Sequence, residues 1–233
     1  MLKCNGVHMV LPVALVRQFL WHKILIGAVM EEKNYTGLIP HQETGVIIDS
    51  AATEEFSSTE DARAFFATVK SRLLAVNGWH DVAGKASAEF QLIDKNGHEV
   101  SRSVEKGDYF KIDVPGPGSS AGDGYDWVQV EDVKEVSQGD VDSVGLRVRP
   151  STSPLNNKEG IAHFYSEEST STFIVTRERN KITATIYDRN TKPNTDTGKI
   201  MDKVRDVATG IGAIFGGSKL QWKGLAKGLV EKE

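Results

Sequence analysis

The sequence predicts an α+β fold, a curved antiparallel sheet of about seven strands packed on a long C-terminal helix. Three observations carry this reading. Apolar residues recur at helical spacing near the end of the chain, at Val204, Val207, Ala208, Ile211, Ile214, Phe215, Trp222, Leu225 and Leu229. Between Phe90 and Ile186 the period is two instead, in several short segments separated by turn residues. Strands in a run, beside helices kept apart from them, argue α+β. None of the strands buries itself alone, and the closing helix is available to cover them.

The elements follow in chain order. Val10 to Val29 is apolar but broken by Pro12, Arg17, His22 and Lys23. A spanning helix needs about 20 mostly apolar residues, so this run does not qualify. It also lacks a clean signal-peptide core. Met30 is expected to be the true start, with an unusual signal or anchor segment as the alternative. Residues 1–44 are expected to be a tail outside the fold and 45–233 a single domain. Gly45–Ser50 reads as a strand. Ser57 with Glu60 reads as a capping box, and Ala62, Phe65, Phe66, Val69, Leu73 and Val76 then form one helical face. Asn77-Gly78 ends that helix, and Trp79-His80-Asp81 reads as a loop.

Strands then follow around Phe90/Leu92, Phe110/Ile112/Val114, Val128/Val130 and Val144/Leu146/Val148. The last two, Phe173/Val175 and Ile182/Ala184/Ile186, flank Glu178-Arg179-Asn180-Lys181 and read as a hairpin. The closing helix is expected over Thr195–Val230, with Thr195, Asp196 and Thr197 as cap candidates. It carries Gly210, Gly212, Gly216, Gly217, Gly224 and Gly228, each costing about 1 kcal/mol against alanine. They are read as a bend at Gly216-Gly217, with a groove along Ala208, Gly212 and Gly216 as the alternative.

Composition excludes several functions. The net charge of −4 argues against broad nucleic-acid binding. Cys4 is the only cysteine, so there is no disulfide framework and no cysteine-based zinc site. This suits a cytoplasmic, reducing setting. No cofactor or metal is expected. The glycine-rich loop 116–124 leads into a strand, not a helix, so it is not a phosphate loop. Asp123 and Asp126 lack the spaced oxygen ligands of a calcium loop.

The element order over about residues 45–230 resembles the helix-grip architecture of the START and polyketide-cyclase superfamily. One departure is that the fold has two short helices after its first strand, where this sequence shows one helix and the Trp79 stretch. The alternative is a small SH3-like barrel over about 86–150. Gly107-Asp108-Tyr109-Phe110, Gly124-Tyr125-Asp126-Trp127, Arg147-Val148-Arg149-Pro150 and Lys219-Leu220-Gln221-Trp222-Lys223 together resemble an uncharacterised bacterial family with no activity to carry over.

The resemblance implies a cavity between sheet and closing helix that holds a small, mainly apolar ligand. Phe110, Trp127, Phe173, Phe215 and Trp222 are the expected wall, with Arg149 or Arg177 meeting a polar head group. An enzymatic role is not favoured. No nucleophile motif is present, and the third reading is a weak hydrolase or cyclase using His80 or His163. A second reading is a protein-interaction module without a cavity, its contact surface the stripe Lys219, Lys223, Lys227. That stripe with Trp222 also fits a membrane-surface helix, a lesser alternative.

Overall fold

The computed structural model describes residues 32–84, 88–114, 119–156, 158–194 and 207–232, with side chains described outside 207–215. Seven strands form one antiparallel sheet: β1 (Val46–Glu55), β2 (Glu89–Ile93), β3 (Tyr109–Asp113), β4 (Asp126–Gln138), β5 (Val141–Pro150), β6 (Thr170–Glu178) and β7 (Lys181–Thr191). Their order across the sheet is β1-β7-β6-β5-β4-β3-β2. Every neighbour pair except β1–β7 is consecutive in sequence. The chain makes one long crossing, through helices α1 (Thr59–Leu74) and α2 (Trp79–Ala83), from one sheet edge to the other. Helix α3 (Val207–Val230) closes the chain. This is the expected α+β, helix-grip-like fold. A single continuous sheet replaces the alternative small barrel, because β4 pairs along β5 as far as Gln138↔Val141 and β5 passes on to β6.

Alternation decides what lies under the helices. Val128, Val130, Val144, Leu146, Val148, Phe173, Val175, Ile182, Ala184 and Ile186 share the inner face and form the main core. Ala62, Phe66, Val69 and Leu73 of α1 meet them, as do Leu225, Ala226, Leu229 and Val230 of α3. Register shifts at Val46/Ile48 and Val130/Asp132 add local bends that help the sheet wrap.

Three expectations shift. The cap of α1 is Ser58, whose Oγ accepts from the Asp61 N–H at 3.0 Å, one residue beyond the Ser57/Glu60 pairing. The Trp79 stretch is not a loop. Helix α1 stops at Leu74, a single 3₁₀ turn covers Val76–Gly78, and Trp79–Ala83 is the second short helix. Its short length, under two turns, hides any helical period in the sequence. The boundary at residue 44 also moves, since the compact unit runs from Asn34 to Glu233. Leu38 is 1% exposed and Ile39 packs with Ile174 and Tyr187 on the outer face of the sheet. Gly145 leaves the space for this strap, because a Cβ there would stand 3.1 Å from the Leu38 side chain and 3.0 Å from Ile174. Arg147 donates to the Leu38 carbonyl at 3.0 Å, and the Asn190 side chain accepts from Glu43 and Thr44 N–H at 2.7 and 3.0 Å. Residues 1–31, including the Met30 question and the run Val10–Val29, lie outside the described residues.

Two glycines of α3 have a cause that differs from the expected bend. A Cβ on Gly228 would stand 1.9 Å from the Val82 carbonyl oxygen, and one on Gly224 2.9 Å from that of Ala83. Helix α2 therefore crosses α3 backbone to backbone, and only glycine allows that approach. At Gly216 and Gly217 nothing lies within 4 Å of the Cβ position. The expected caps Thr195–Thr197 and the groove residues Ala208 and Gly212 lie outside the described side chains. Opposite outcomes are expected for two alanine substitutions followed by thermal unfolding. Gly228→Ala destabilises by about 1–3 kcal/mol through overpacking. Gly216→Ala stabilises, by up to about 1 kcal/mol of helix propensity.

Candidate functional site

The inner face of the sheet carries several polar side chains, and one of them lies under α3. Along β7, Ile182, Ala184 and Ile186 face the core, and the next inward position is Asp188. It is 1% exposed. Its row across the sheet runs through Ile48 of β1 on one side and Ser171 of β6 on the other. Trp222 of α3 reaches down and donates its indole N–H to Asp188 Oδ2 at 3.0 Å. The other carboxyl oxygen, Oδ1, has no hydrogen-bond partner among the described residues. Burial pushes the Asp188 carboxyl up to about 7, and Ser171 and Trp222 only partly offset it.

The segment 161–165 crosses this end of the sheet. Its anchors are Trp127 N–H to the Ala162 carbonyl at 2.7 Å and Asn194 N–H to the Phe164 carbonyl at 2.8 Å. Tyr165 donates its hydroxyl to Ser218 of α3 at 2.8 Å. Its ionisation is pushed up by burial and by the nearby Asp188, so it stays a neutral donor. Asp126, at the inner-facing start of β4, is buried as well and pushed up to about 7, with the Phe164 backbone N–H opposing the shift. Loop, strand ends and α3 thus bring Asp188, Tyr165, Ser218 and Trp222 together on the inner side.

Beside this polar end lies an aromatic block. The Trp79 ring contacts Phe90, Phe110 and Phe173 at centroid distances of 5.3, 5.7 and 4.7 Å. Trp222 stands edge-on to Phe173 at 5.1 Å. Of the expected wall residues, Phe110, Phe173 and Trp222 do come together. Phe215 lies outside the described side chains.

Trp127 does not join them. It sits on the outer face with Ile93 and Ala162, because it alternates with Val128 and Val130. Arg149 is also outward. It and Arg147 each place Nε 2.5 Å from a Glu131 oxygen. Burial acts to raise Glu131, but the two guanidinium groups win and hold it below the usual carboxylate range. Arg177 faces inward and is fully buried, but Asp142 holds it with Nε at 2.7 Å and Nη2 at 2.6 Å. It pairs with Ile182, six residues along β7 from Asp188. At about 3.4 Å per residue that is roughly 20 Å away, too far for one head group to meet both. The expected head-group partners Arg149 and Arg177 are therefore both committed elsewhere.

His163 is buried, and its Nδ1 accepts the Tyr165 backbone N–H at 2.9 Å. Burial holds it down to about 3, so it is a neutral structural acceptor rather than a base poised near neutrality. His80 lines an open pocket of about 420 Å³ with Asn77, Asp81, Glu89, Glu99, Lys111 and Tyr125, at the free edge of the sheet beyond β2. Asp123 turns outward to Lys158 and Asn156 while Asp126 turns in, so the two cannot share a cation. Among the described residues no group of three or more His, Cys, Asp or Glu is placed to hold a metal. Lys219 and Lys223 are exposed, and Lys227 pairs with Glu231 at 3.7 Å. Among the described residues no helix is long and apolar enough to cross a membrane.

Asp188 and Tyr165 were not expected as site residues. A signal for Asp188 exists in the sequence: it continues the two-residue spacing of Ile182, Ala184 and Ile186, so an acid falls where the pattern calls for an apolar side chain.

No family model matches the sequence, and no curated protein does. Solved structures share the general arrangement at low similarity. The hypothetical protein jhp0584 from Helicobacter pylori is 13% identical, with a TM-score of 0.43, over 86% of this chain and 95% of that one. Protein Ms6760 from Mycobacterium smegmatis is 14% identical at a TM-score of 0.33, covering 80% and 93%. Truncated norcoclaurine synthase from Thalictrum flavum is 13% identical at 0.32, covering 83% and 100%. Likeness at this level carries no activity across to this chain.

The buried groups set a pH dependence. Asp126 and Asp188 bind protons more tightly folded than unfolded, so their contribution is full below about pH 4 and is lost as pH rises through about 7. His163 acts oppositely: its contribution is full above about 6.5 and is lost as pH falls towards 3. Two acids outweigh one base between pH 5 and 8, so the melting temperature is expected to fall over that interval. In an Asp126→Asn/Asp188→Asn double variant the fall disappears, and His163 leaves a rise up to about pH 6.5. An unchanged fall in the double variant would show that both carboxylates titrate normally.

Proposed function

We propose that this chain is a ligand-binding domain of the helix-grip kind, related in architecture to START and cyclase-type domains. It holds a small, mainly apolar molecule between the inner face of the sheet and the first half of α3. The observation that carries this reading is Asp188, a fully buried carboxyl with one oxygen unpaired among the described residues, set by the sheet register and α3 among Ile48, Ile186, Phe173 and Trp222. A fold gains nothing in stability from such a group, since leaving a buried polar atom unpaired costs about 1–3 kcal/mol. A bound molecule would supply the missing partner. Phe110 lies deeper in the same aromatic block and supports the wall from behind. Enzymatic turnover is not part of the proposal. His163 is taken up by the Tyr165 backbone N–H.

A second reading, a protein-interaction surface on the outer side of α3, is favoured by one feature. Leu220 is 74% exposed between Lys219 and Lys223. An acidic protein surface would suit that face.

Native mass spectrometry of the full chain, followed by organic extraction, separates the two. A reproducible apolar adduct is expected. Phe173→Ala and Trp222→Ala should each lower its occupancy at temperatures where circular dichroism shows the protein still folded. A folded variant that keeps the adduct would remove that residue from the wall. A chain that never carries an adduct, and binds an acidic partner lost on Lys219→Glu/Lys223→Glu, would favour the second reading.

A further inference from the structure

We infer that the ligand presents a neutral hydroxyl, an alcohol or phenol on an apolar body, to the unpaired Oδ1 of Asp188. The inference rests on the ligand-binding reading above and specifies its chemistry. The hydrogen bonds around Asp188 leave a defined vacancy. Oδ2 is taken by Trp222 Nε1 at 3.0 Å, the Ser171 hydroxyl on the neighbouring strand helps hold the carboxyl down, and Oδ1 is buried with no hydrogen-bond partner among the described residues. The nearest hydroxyl of the crossing loop, Tyr165, is turned to Ser218 Oγ at 2.8 Å. Among the described residues Oδ1 is left one hydrogen-bond partner short on the side of the sheet that faces α3.

The charge around the site decides which donor. From β7 and β6 the carboxyl meets Arg189 and Ser171, from β1 Asp49, from the loop Tyr165, and from α3 Trp222, while Ser218 of α3 holds the Tyr165 hydroxyl. Arg189 and Asp49 bind each other, with Nη1 2.5 Å from Oδ1 of Asp49, on the side of the sheet away from α3. On the inner side every described neighbour is neutral. A carboxylate ligand would meet Asp188 with no cation beside it on the inner side among the described residues. An ammonium ligand would require two charges to be stripped of water in a setting that favours the uncharged acid. A hydroxyl demands neither. It donates to Oδ1 when Asp188 is ionised and still bonds, as acceptor or donor, when Asp188 carries its proton. Ser171, Trp222 and Tyr165 supply polar groups without charge, which matches a ligand that is polar at one point and neutral throughout.

The test is equilibrium dialysis of the full chain at pH 8, where Asp188 is mostly ionised, with three probes of one shape: 1-naphthol, its methyl ether, and 1-naphthylmethylamine. The naphthol is expected to bind roughly tenfold more tightly than the ether, the yield of one buried hydrogen bond. In Asp188→Asn the amide oxygen keeps the Trp222 bond and the amide N–H₂ faces the probe. A donor then has no acceptor to find, and the preference should shrink below threefold while thermal unfolding shows the variant folded. Equal binding of naphthol and ether, or a preference that survives Asp188→Asn, overturns the hydroxyl inference and leaves the ligand-binding reading standing. Tightest binding of the amine overturns it in favour of a cationic ligand. Binding of none of the three counts against the ligand-binding reading itself, and the hydroxyl inference falls with it.

Discussion

The structure depends most on Trp79. Its indole N–H donates to the carbonyls of Arg72 and Leu73, at 3.2 and 3.1 Å. Those carbonyls belong to the last turn of α1 and have no partner within the helix. Its ring meanwhile is the common contact of Phe90, Phe110 and Phe173, one residue from each of β2, β3 and β6. One side chain thus ends a helix, starts the next, and joins both flanks of the sheet. The residue is completely buried, so both its polar atom and its full aromatic area are used. The crossing from β1 to β2 spans the width of the sheet, and Trp79 is where that crossing is tied down.

The position of α3 follows from this. Helix α2 begins at Trp79 and runs five residues, and its carbonyls at Val82 and Ala83 press on Gly228 and Gly224. Farther back along α3, Trp222 meets Phe173 with its ring and Asp188 with its N–H. The C-terminal half of α3 is therefore held on three counts: glycine contact with α2, aliphatic packing of Leu225 and Leu229, and the Trp222 bridge. The Ser50 hydroxyl adds a long contact of 3.4 Å to the Lys219 carbonyl. Held firmly at one end, the helix fixes which face of the sheet is covered.

How much of this was legible in the sequence depends on the length of the pattern. Strands with three or more alternating apolar residues, such as Val144/Leu146/Val148 and Ile182/Ala184/Ile186, declare both their existence and their inward face. The sheet order follows from them almost without choice, since hairpin-linked strands pair with their neighbours. What failed were judgements on single residues. Trp127 is large and apolar, but parity places it outward, where Ile93 and Ala162 cover it. Arg147 and Arg149 were rightly placed on one face, and Glu131, between them across the β4 bulge, takes both. Arg177 has the opposite parity, and a single acid, Asp142, absorbs it. Residues 34–44 carry no periodic signal at all. Leu38 and Ile39 are two adjacent apolar residues whose burial depends on the missing side chain of Gly145, a contact made across more than a hundred residues.

The same parity argument bears on the inner acids. In a sheet covered on its inner face, each inward position near the helices is a place where an apolar side chain would add stability. Asp126 and Asp188 occupy two such positions, and burial holds both near neutrality instead of in their ordinary acidic range. Asp126 has an internal use: it meets the backbone of Phe164 and so helps seat the crossing loop. Asp142, by contrast, shows what a satisfied inward acid looks like here, with Arg177 on one oxygen and Ser137 on the other. Asp188 has the Trp222 N–H on Oδ2, the Ser171 hydroxyl nearby, and no hydrogen-bond partner for Oδ1 among the described residues. Were its purpose to hold α3 through Trp222, a serine or asparagine acceptor would do so without the penalty of an acid in an apolar setting. A carboxyl is the costlier choice for that task, which is why the ligand-binding proposal rests on it.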